Sequence, residues 1–436
     1  MISPSLRVKI EEFRAISQAD IIVDGITVVA GENGCGKSSI SKLIYYLYKT
    51  MSNYEDLVTS RLHFDLRQII RFLEITLQEI DRNLKDRKLR DEARKGVYDL
   101  RRGFLDGNFL EEELENWLYV IDRTEQLYGQ AMPDNLSKPL THGTNRLRFI
   151  VKDLLKGDIN NDELSFSKIK DFVQSKFKEA KGKIDNRPTS LFTQRLGQAF
   201  LDSKLPEKFE VLEFDDLLFS LKKNNLAIPY TIQNAIYIDT PMMLGIEDSE
   251  NEYWNDLNEL LHKKGAVVDK YSSLISQEII YGNALLDENS FGGDEFKFKR
   301  IDGKEFNLLD VATGIKSFSM IQLLLNNGSL NDKSLLIIDE PESNLHPQWI
   351  IEYARIIVAL NKEYGIKFLL ATHNPDMVSA IRYISEKEGV LKNTNFYLAE
   401  KVENKFSYSY KYLETDIDPI FESFNIAIER INQYGV

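Results

Sequence analysis

The stretch Ile26-Thr27-Val28-Val29-Ala30-Gly31-Glu32-Asn33-Gly34-Cys35-Gly36-Lys37-Ser38-Ser39 decides how the rest of the chain reads. A short apolar run, Ile26–Ala30, ends in G-x-x-x-x-G-K-S, and from Ser39 the pattern SISKLIYYLYKTM places Ile40, Leu43, Ile44 and Leu47 at helical spacing. Strand, glycine-rich loop, helix is the context in which this spacing binds phosphate, because the glycines let backbone N–H groups wrap an anion at the positive end of a helix. Asn33, Gly34, Cys35, Gly36, Lys37, Ser38 and Ser39 are therefore the candidate residues for ATP. Lys37 would reach the β- and γ-phosphates, and the Ser38 hydroxyl would ligate Mg²⁺.

A second strand answers the first. Leu335–Ile338 is apolar and ends in Asp339-Glu340, where Asp339 can hold the Mg²⁺ water shell while Glu340 orients or deprotonates an attacking water. Strand signals also open the chain, with Leu6, Val8 and Ile10 alternating and Ile21–Val23 apolar, and they return at Ala235–Asp239 and Lys367–Ala371. Strands alternating with helical patterns predict an α/β fold with a mainly parallel sheet whose site lies at the strand carboxyl ends. Between about Asn53 and Tyr230 the chain turns to charged stretches with apolar residues three and four apart, such as Ile69, Leu73, Leu77, Ile80 and Leu84. This predicts a largely helical insertion over residues 53–230, dividing an ATPase domain into a first part, 1–52, and a second part, 231–436. Gly129, Pro133, Pro139 and Gly143 mark Tyr128–Asn145 as a loop inside it.

Composition narrows the class. At 436 residues the chain exceeds one typical core, and no segment approaches the ~20 uninterrupted apolar residues of a membrane span, so a cytoplasmic protein with no membrane partner is expected. The single cysteine, Cys35, fits a reducing compartment. Beside Lys37 at a helix N-terminus it is expected to be a reactive thiol shielded by nucleotide. A net charge of −13 opposes nonspecific adhesion to nucleic acid over the whole surface. The local exception is Arg82–Arg102, with nine Lys or Arg against four acids. It reads as a solvated helix face or, alternatively, as a grip on DNA.

Asp339-Glu340-Pro341-Glu342-Ser343-Asn344-Leu345 resembles the extended Walker B and D-loop of ABC-type P-loop ATPases, and Ala371-Thr372-His373-Asn374 looks like their switch-histidine motif. The form EPESNLHP, with His346 where transporters usually carry the D-loop Asp, is similar to the SMC-like and OLD-like branch. The resemblance implies that Glu340 and His373 are catalytic, His373 contacting the γ-phosphate. It also implies a homodimer or higher homo-oligomer that sandwiches two nucleotides. Val311-Ala312-Thr313-Gly314-Ile315-Lys316-Ser317 sits where the family has its signature motif, so Thr313 and Gly314 would face the nucleotide of the other head. As a plain helix start, Thr313 would be the cap. Gln233 stands where the Q-loop glutamine is sought, and Phe13-Arg14 resembles the FR that follows the first strand in this branch.

About 60 residues follow His373, without the acidic spacing of the Toprim nuclease domain that OLD proteins append, and five histidines with one cysteine give no HNH or zinc nuclease pattern. Stand-alone ATPases of this shape resemble the ATPase subunits of two-component bacterial antiphage systems such as Septu, PARIS and retron-linked modules. That implies a sensor, regulator or scaffold for a separate effector, a nuclease or toxin encoded nearby. The alternative is a DNA-repair or DNA-clamping ATPase.

Overall fold

A computed structural model describes residues 6–83, 87–103, 110–131, 165–201, 204–246, 249–265, 269–289, 293–422 and 432–434. The chain opens with β1 (Leu6–Phe13), β2 (Ile16–Ile22), β3 (Ile26–Ala30) and α1 (Lys37–Ser52). Among the described residues the helices α2 (Tyr54–Asn83), α3 (Arg87–Gly103), α4 (Leu110–Ala131) and α5 (Phe166–Asn186) follow. Next come α6 (Ser190–Phe200), β4 (Lys208–Glu213), β5 (Asp216–Ser220), β6 (Asn234–Ile238), α7 (Glu252–Leu261) and α8 (Lys270–Leu274). A three-stranded antiparallel sheet, β7 (Gly282–Asn289), β8 (Gly293–Arg300) and β9 (Glu305–Asn307), leads into α9 (Thr313–Asn326) and β10 (Ser334–Asp339). The last elements are α10 (Pro347–Tyr364), β11 (Lys367–Thr372), α11 (Pro375–Lys387), β12 (Thr394–Lys401) and β13 (Tyr408–Glu414).

Among the described residues ten strands form one sheet in the order β5-β4-β1-β2-β13-β12-β3-β11-β10-β6. Its heart, β12-β3-β11-β10-β6, is parallel throughout. β3 and β10 are buried along their whole length, which is why ITVVA and SLLIID read as continuous apolar runs: strands covered on both faces have no polar side to alternate. β1 alternates buried and half-buried positions because it belongs to the antiparallel flank formed by β5, β4, β1 and β2. The α/β fold with a mainly parallel sheet is as the sequence predicts. No helix among the described residues is long and apolar enough to cross a membrane.

The chain forms two compact units, one of residues 1–52 with 188–436 and one of residues 53–187. The expected insertion boundary near residue 230 therefore moves back to Arg187. Lys208–Glu213 and Asp216–Ser220 are strands, and β4 pairs with β1 from Leu6↔Glu213 to Glu11↔Lys208. They belong to the sheet unit. The helical unit has its own core, with Leu66, Ile69 and Leu73 of α2, Trp117 and Ile121 of α4, and Val173 and Phe177 of α5 buried. Gly129 lies inside α4, so the expected loop does not begin at Tyr128; its remainder, from residue 132, lies outside the described residues. In the basic stretch, Arg90 and Arg94 pair with Asp81, and Arg101 with Glu74. Three of the nine basic residues are thus paired with α2 carboxylates.

Candidate functional site

Parallel register assembles the site. Val28 pairs with Leu370, Ala30 with Thr372, and Asp339 with Ala371, so β3, β11 and β10 end at one level. The glycine-rich loop, Asp339-Glu340 and Thr372-His373 thus leave the sheet side by side. The glycine-rich loop and Asp339-Glu340 border a cleft of about 310 Å³ lined by Asn33, Gly34, Gly36, Lys37, Ser38, Ser39, Asp339, Glu340 and Ala371, with Arg14 and Ala15 from the β1–β2 turn; His373 is not in that lining and reaches it through Glu340.

The loop shape depends on glycine at Gly36, which has φ 103° and where a Cβ would lie 2.9 Å from Ile16 Cγ1. α1 starts at Lys37 with no acidic residue in its own first turn, so its positive end borders the cleft. The Lys37 ammonium is buried and donates to the carbonyls of Gly31 at 2.8 Å and Glu32 at 2.9 Å.

Asp339 is held from both sides. Ser41 of α1 donates to its Oδ1 and Tyr237 of β6 to its Oδ2, each at 2.7 Å, and Ser38 also bonds the carboxylate. Burial pushes the Asp339 carboxyl up, and these three hydroxyls pull against it. Ser38 and Asp339 are thus two hard oxygen donors in contact, a pair suited to Mg²⁺.

Glu340 adopts φ 51°, a left-handed conformation unusual for glutamate, and its N–H donates to Ala371 O at 2.7 Å. Glu340 lines the cleft, and Ser343 Oγ donates to its Oε2 at 3.1 Å. His373 Nδ1 lies 3.4 Å from Glu340 Oε1 and 3.5 Å from Glu342 Oε1.

Several sequence expectations change. Thr313 and Gly314 begin α9 but do not line the cleft of their own chain. Ala312, not Thr313, is the cap residue, without a side-chain cap bond. Gly314 is required by packing, since a Cβ would stand 2.7 Å from the Trp349 ring. Gln233 precedes β6, and the register Asn234↔Ser334 puts it at the amino end of the parallel strands, away from the cleft. Cys35 is fully buried, and Tyr410 of β13 donates to its carbonyl at 2.9 Å. The expected reactive thiol is therefore enclosed. Alkylation of the native protein should be slow and equal with and without Mg-ATP, and should become rapid in denaturant; time-resolved mass spectrometry checks this.

Three contributors escaped the sequence reading. Ser41 has a signal, one helical turn after Ser38 on α1, whereas Tyr237 and Glu342 reach their partners through tertiary contacts alone.

The AAA ATPase domain family matches over residues 6–378. The uncharacterized ABC transporter ATP-binding protein YcbN of Bacillus subtilis (strain 168) is 25% identical over 176 residues, 36% of this chain and 53% of that protein. The energy-coupling factor transporter ATP-binding protein EcfA3 of Clostridium perfringens is 32% identical over 117 residues, 25% of this chain and 39% of that protein. The chain thus spans about half, or less, of the length of these curated relatives. Among solved structures, the SMC head domain from Thermotoga maritima aligns over 93% of this chain and 98% of its own at 9% identity and TM-score 0.36. The Smc head domain from Pyrococcus furiosus, bound to the C-terminal domain of ScpA, aligns over 98% of both chains at 10% identity and TM-score 0.36. With the family match running from β1 into α11, through the glycine-rich loop, the Asp339-Glu340 strand end and His373, the chain belongs to the AAA ATPase domain family.

Proposed function

We propose that this cleft binds Mg-ATP and hydrolyses it, and that the complete site forms between two copies of the chain. One observation carries the reading: phosphate loop, paired Ser38 and Asp339, and a kinked Glu340 share one cleft, while Thr313-Gly314 stay out of it. Lys37 exchanges the Gly31 and Glu32 carbonyls for the β- and γ-phosphates, keeping its donors satisfied throughout. Ser38 and Asp339 would hold Mg²⁺, which supplies charge neutralisation of the phosphates when bound. Glu340 takes a proton from the attacking water as the water oxygen bonds the γ-phosphorus and the bond to the bridging oxygen of ADP breaks. His373 meets the γ-phosphate edge. The Thr313-Gly314 helix start is the part contributed to the partner's nucleotide.

The cellular reading rests on the likeness of DEPESNLHP to the SMC-like and OLD-like branch. ATP-driven pairing and release would act as sensor, regulator or scaffold for a separate effector, a nuclease or toxin, in antiphage defence. The pairing of Arg90, Arg94 and Arg101 with acids of α2 disfavours the DNA-clamping alternative.

Mixing two inactive variants tests the shared site. Lys37→Ala loses the phosphate loop, and Thr313→Asp sets a negative charge in the segment offered to the partner without adding a Cβ against the Trp349 ring. In a mixed dimer one site draws both intact parts, so roughly a quarter of all sites should recover turnover. No recovery from well-folded proteins that exchange subunits would leave each chain to hydrolyse alone.

A further inference from the structure

We propose that Glu342 is a positioning residue that acts through His373, fixing its proton on Nδ1 so that Nε2 is the atom presented to the reacting phosphate and water. This rests on the hydrolytic reading of the cleft. Glu342 is buried, and its Oε1 accepts from the Thr372 hydroxyl at 2.7 Å and from the His373 backbone N–H at 3.2 Å. Those two bonds account for the turn between β11 and α11. A neutral amide oxygen would accept both equally well, so the turn does not explain a charge here.

Burying a carboxylate is costly unless something pairs with it. Its Oε2 is buried without a hydrogen-bond partner, and so is His373 Nδ1, the two groups belonging to side chains already in contact. Burial pushes the Glu342 carboxyl up, and the hydrogen bonds from the Thr372 hydroxyl and the backbone pull against it. The separation of 3.5 Å from Nδ1 to Oε1 is ionic contact that a small turn of the ring would convert into a hydrogen bond. Glu340 Oε1, at 3.4 Å, lies beside the same nitrogen. With carboxylates about it, Nδ1 keeps its hydrogen, and a carboxylate that fixes an imidazole in this way also fixes the ring plane. Glu342 thereby aims Nε2 without itself lining the cleft.

The test is a double-mutant cycle on full-length protein, with ATP turnover as the readout. Glu342→Gln keeps the acceptor for Thr372 and removes the charge. It should lower kcat on the order of 10- to 100-fold, with KM for ATP changed by less than roughly two-fold. On a His373→Gln background the same substitution should cost nothing further, since its route of action is gone. Should Glu342→Gln fold poorly, Thr372→Val preserves volume, loosens the carboxylate, and should lower kcat in the same direction with the same dependence on His373. Additive losses in the cycle, or an unchanged kcat in folded Glu342→Gln, overturn the role of Glu342 while leaving the hydrolytic reading standing. Normal turnover in His373→Gln overturns the role of Glu342 together with the catalytic assignment of His373. The hydrolytic reading itself fails separately, if the parent protein shows no Mg-dependent turnover.

Discussion

ATP turnover by the Glu340→Gln protein should fall by a factor of about 10² to 10⁴, the range for a lost general base, while Mg-ATP still binds. The substitution is close to isosteric. The amide can still accept from Ser343 Oγ, and glutamine suffers no more than glutamate from φ 51°. What disappears is the capacity to take a proton. If hydrolysis dissolves the pairing of two chains, the ATP-bound pair should outlive that of the parent, and light scattering should record a nucleotide-dependent, long-lived assembly. Near-normal turnover in well-folded protein would overturn the catalytic assignment of Glu340. The apposed residues His373 and Ser343 would then hold a turn and nothing more.

Lys37→Ala should abolish nucleotide binding. Charge-assisted hydrogen bonds contribute about 1.5–3 kcal/mol each, so losing those to the β- and γ-phosphates predicts an affinity lower by ~10²-fold or more. The free protein should lose stability as well. Lys37 is buried and donates to Gly31 O and Glu32 O, which the truncation leaves without that donor, at about 1–3 kcal/mol for each group kept from water. Calorimetric titration gives the affinity. Thermal unfolding gives the second effect, since the parent should be stabilised by ATP, by about 2.7 kcal/mol at a hundred times its Kd, and the variant should not. Unchanged ATP affinity would remove the phosphate loop from the mechanism.

Local sequence carried the centre of this site because its geometry is local. β3 with its loop and α1 is one contiguous strand-loop-helix, and β10 ends in the two carboxylates that the register then places beside it. Elements set by distant partners were illegible. KFEVLE at Lys208–Glu213 is charged enough to pass for helix, and becomes strand by pairing with β1. YSYKYLE at Tyr408–Glu414 pairs with β12 and β2, and from there Tyr410 closes over Cys35, which no spacing near Cys35 foretells. The same limit hid Tyr237. Its hydroxyl meets Asp339 because β6 and β10 are neighbours in the sheet, though they are far apart in the chain.

The position of β3 has a consequence for how the molecule comes into being. Its two neighbours are β11 and β12, with Val28 against Leu370 on one edge and Phe396 on the other, and the loop after it is closed by Tyr410, 375 residues beyond Cys35. At ~5–20 residues per second on the ribosome, the apolar strand ITVVA waits on the order of tens of seconds with both edges unpaired. Contacts this remote in sequence make folding slow and leave an exposed edge as a template for other chains. The nucleotide loop is synthesised 375 residues ahead of the Tyr410 that closes it, so its completion waits on β11, β12 and β13.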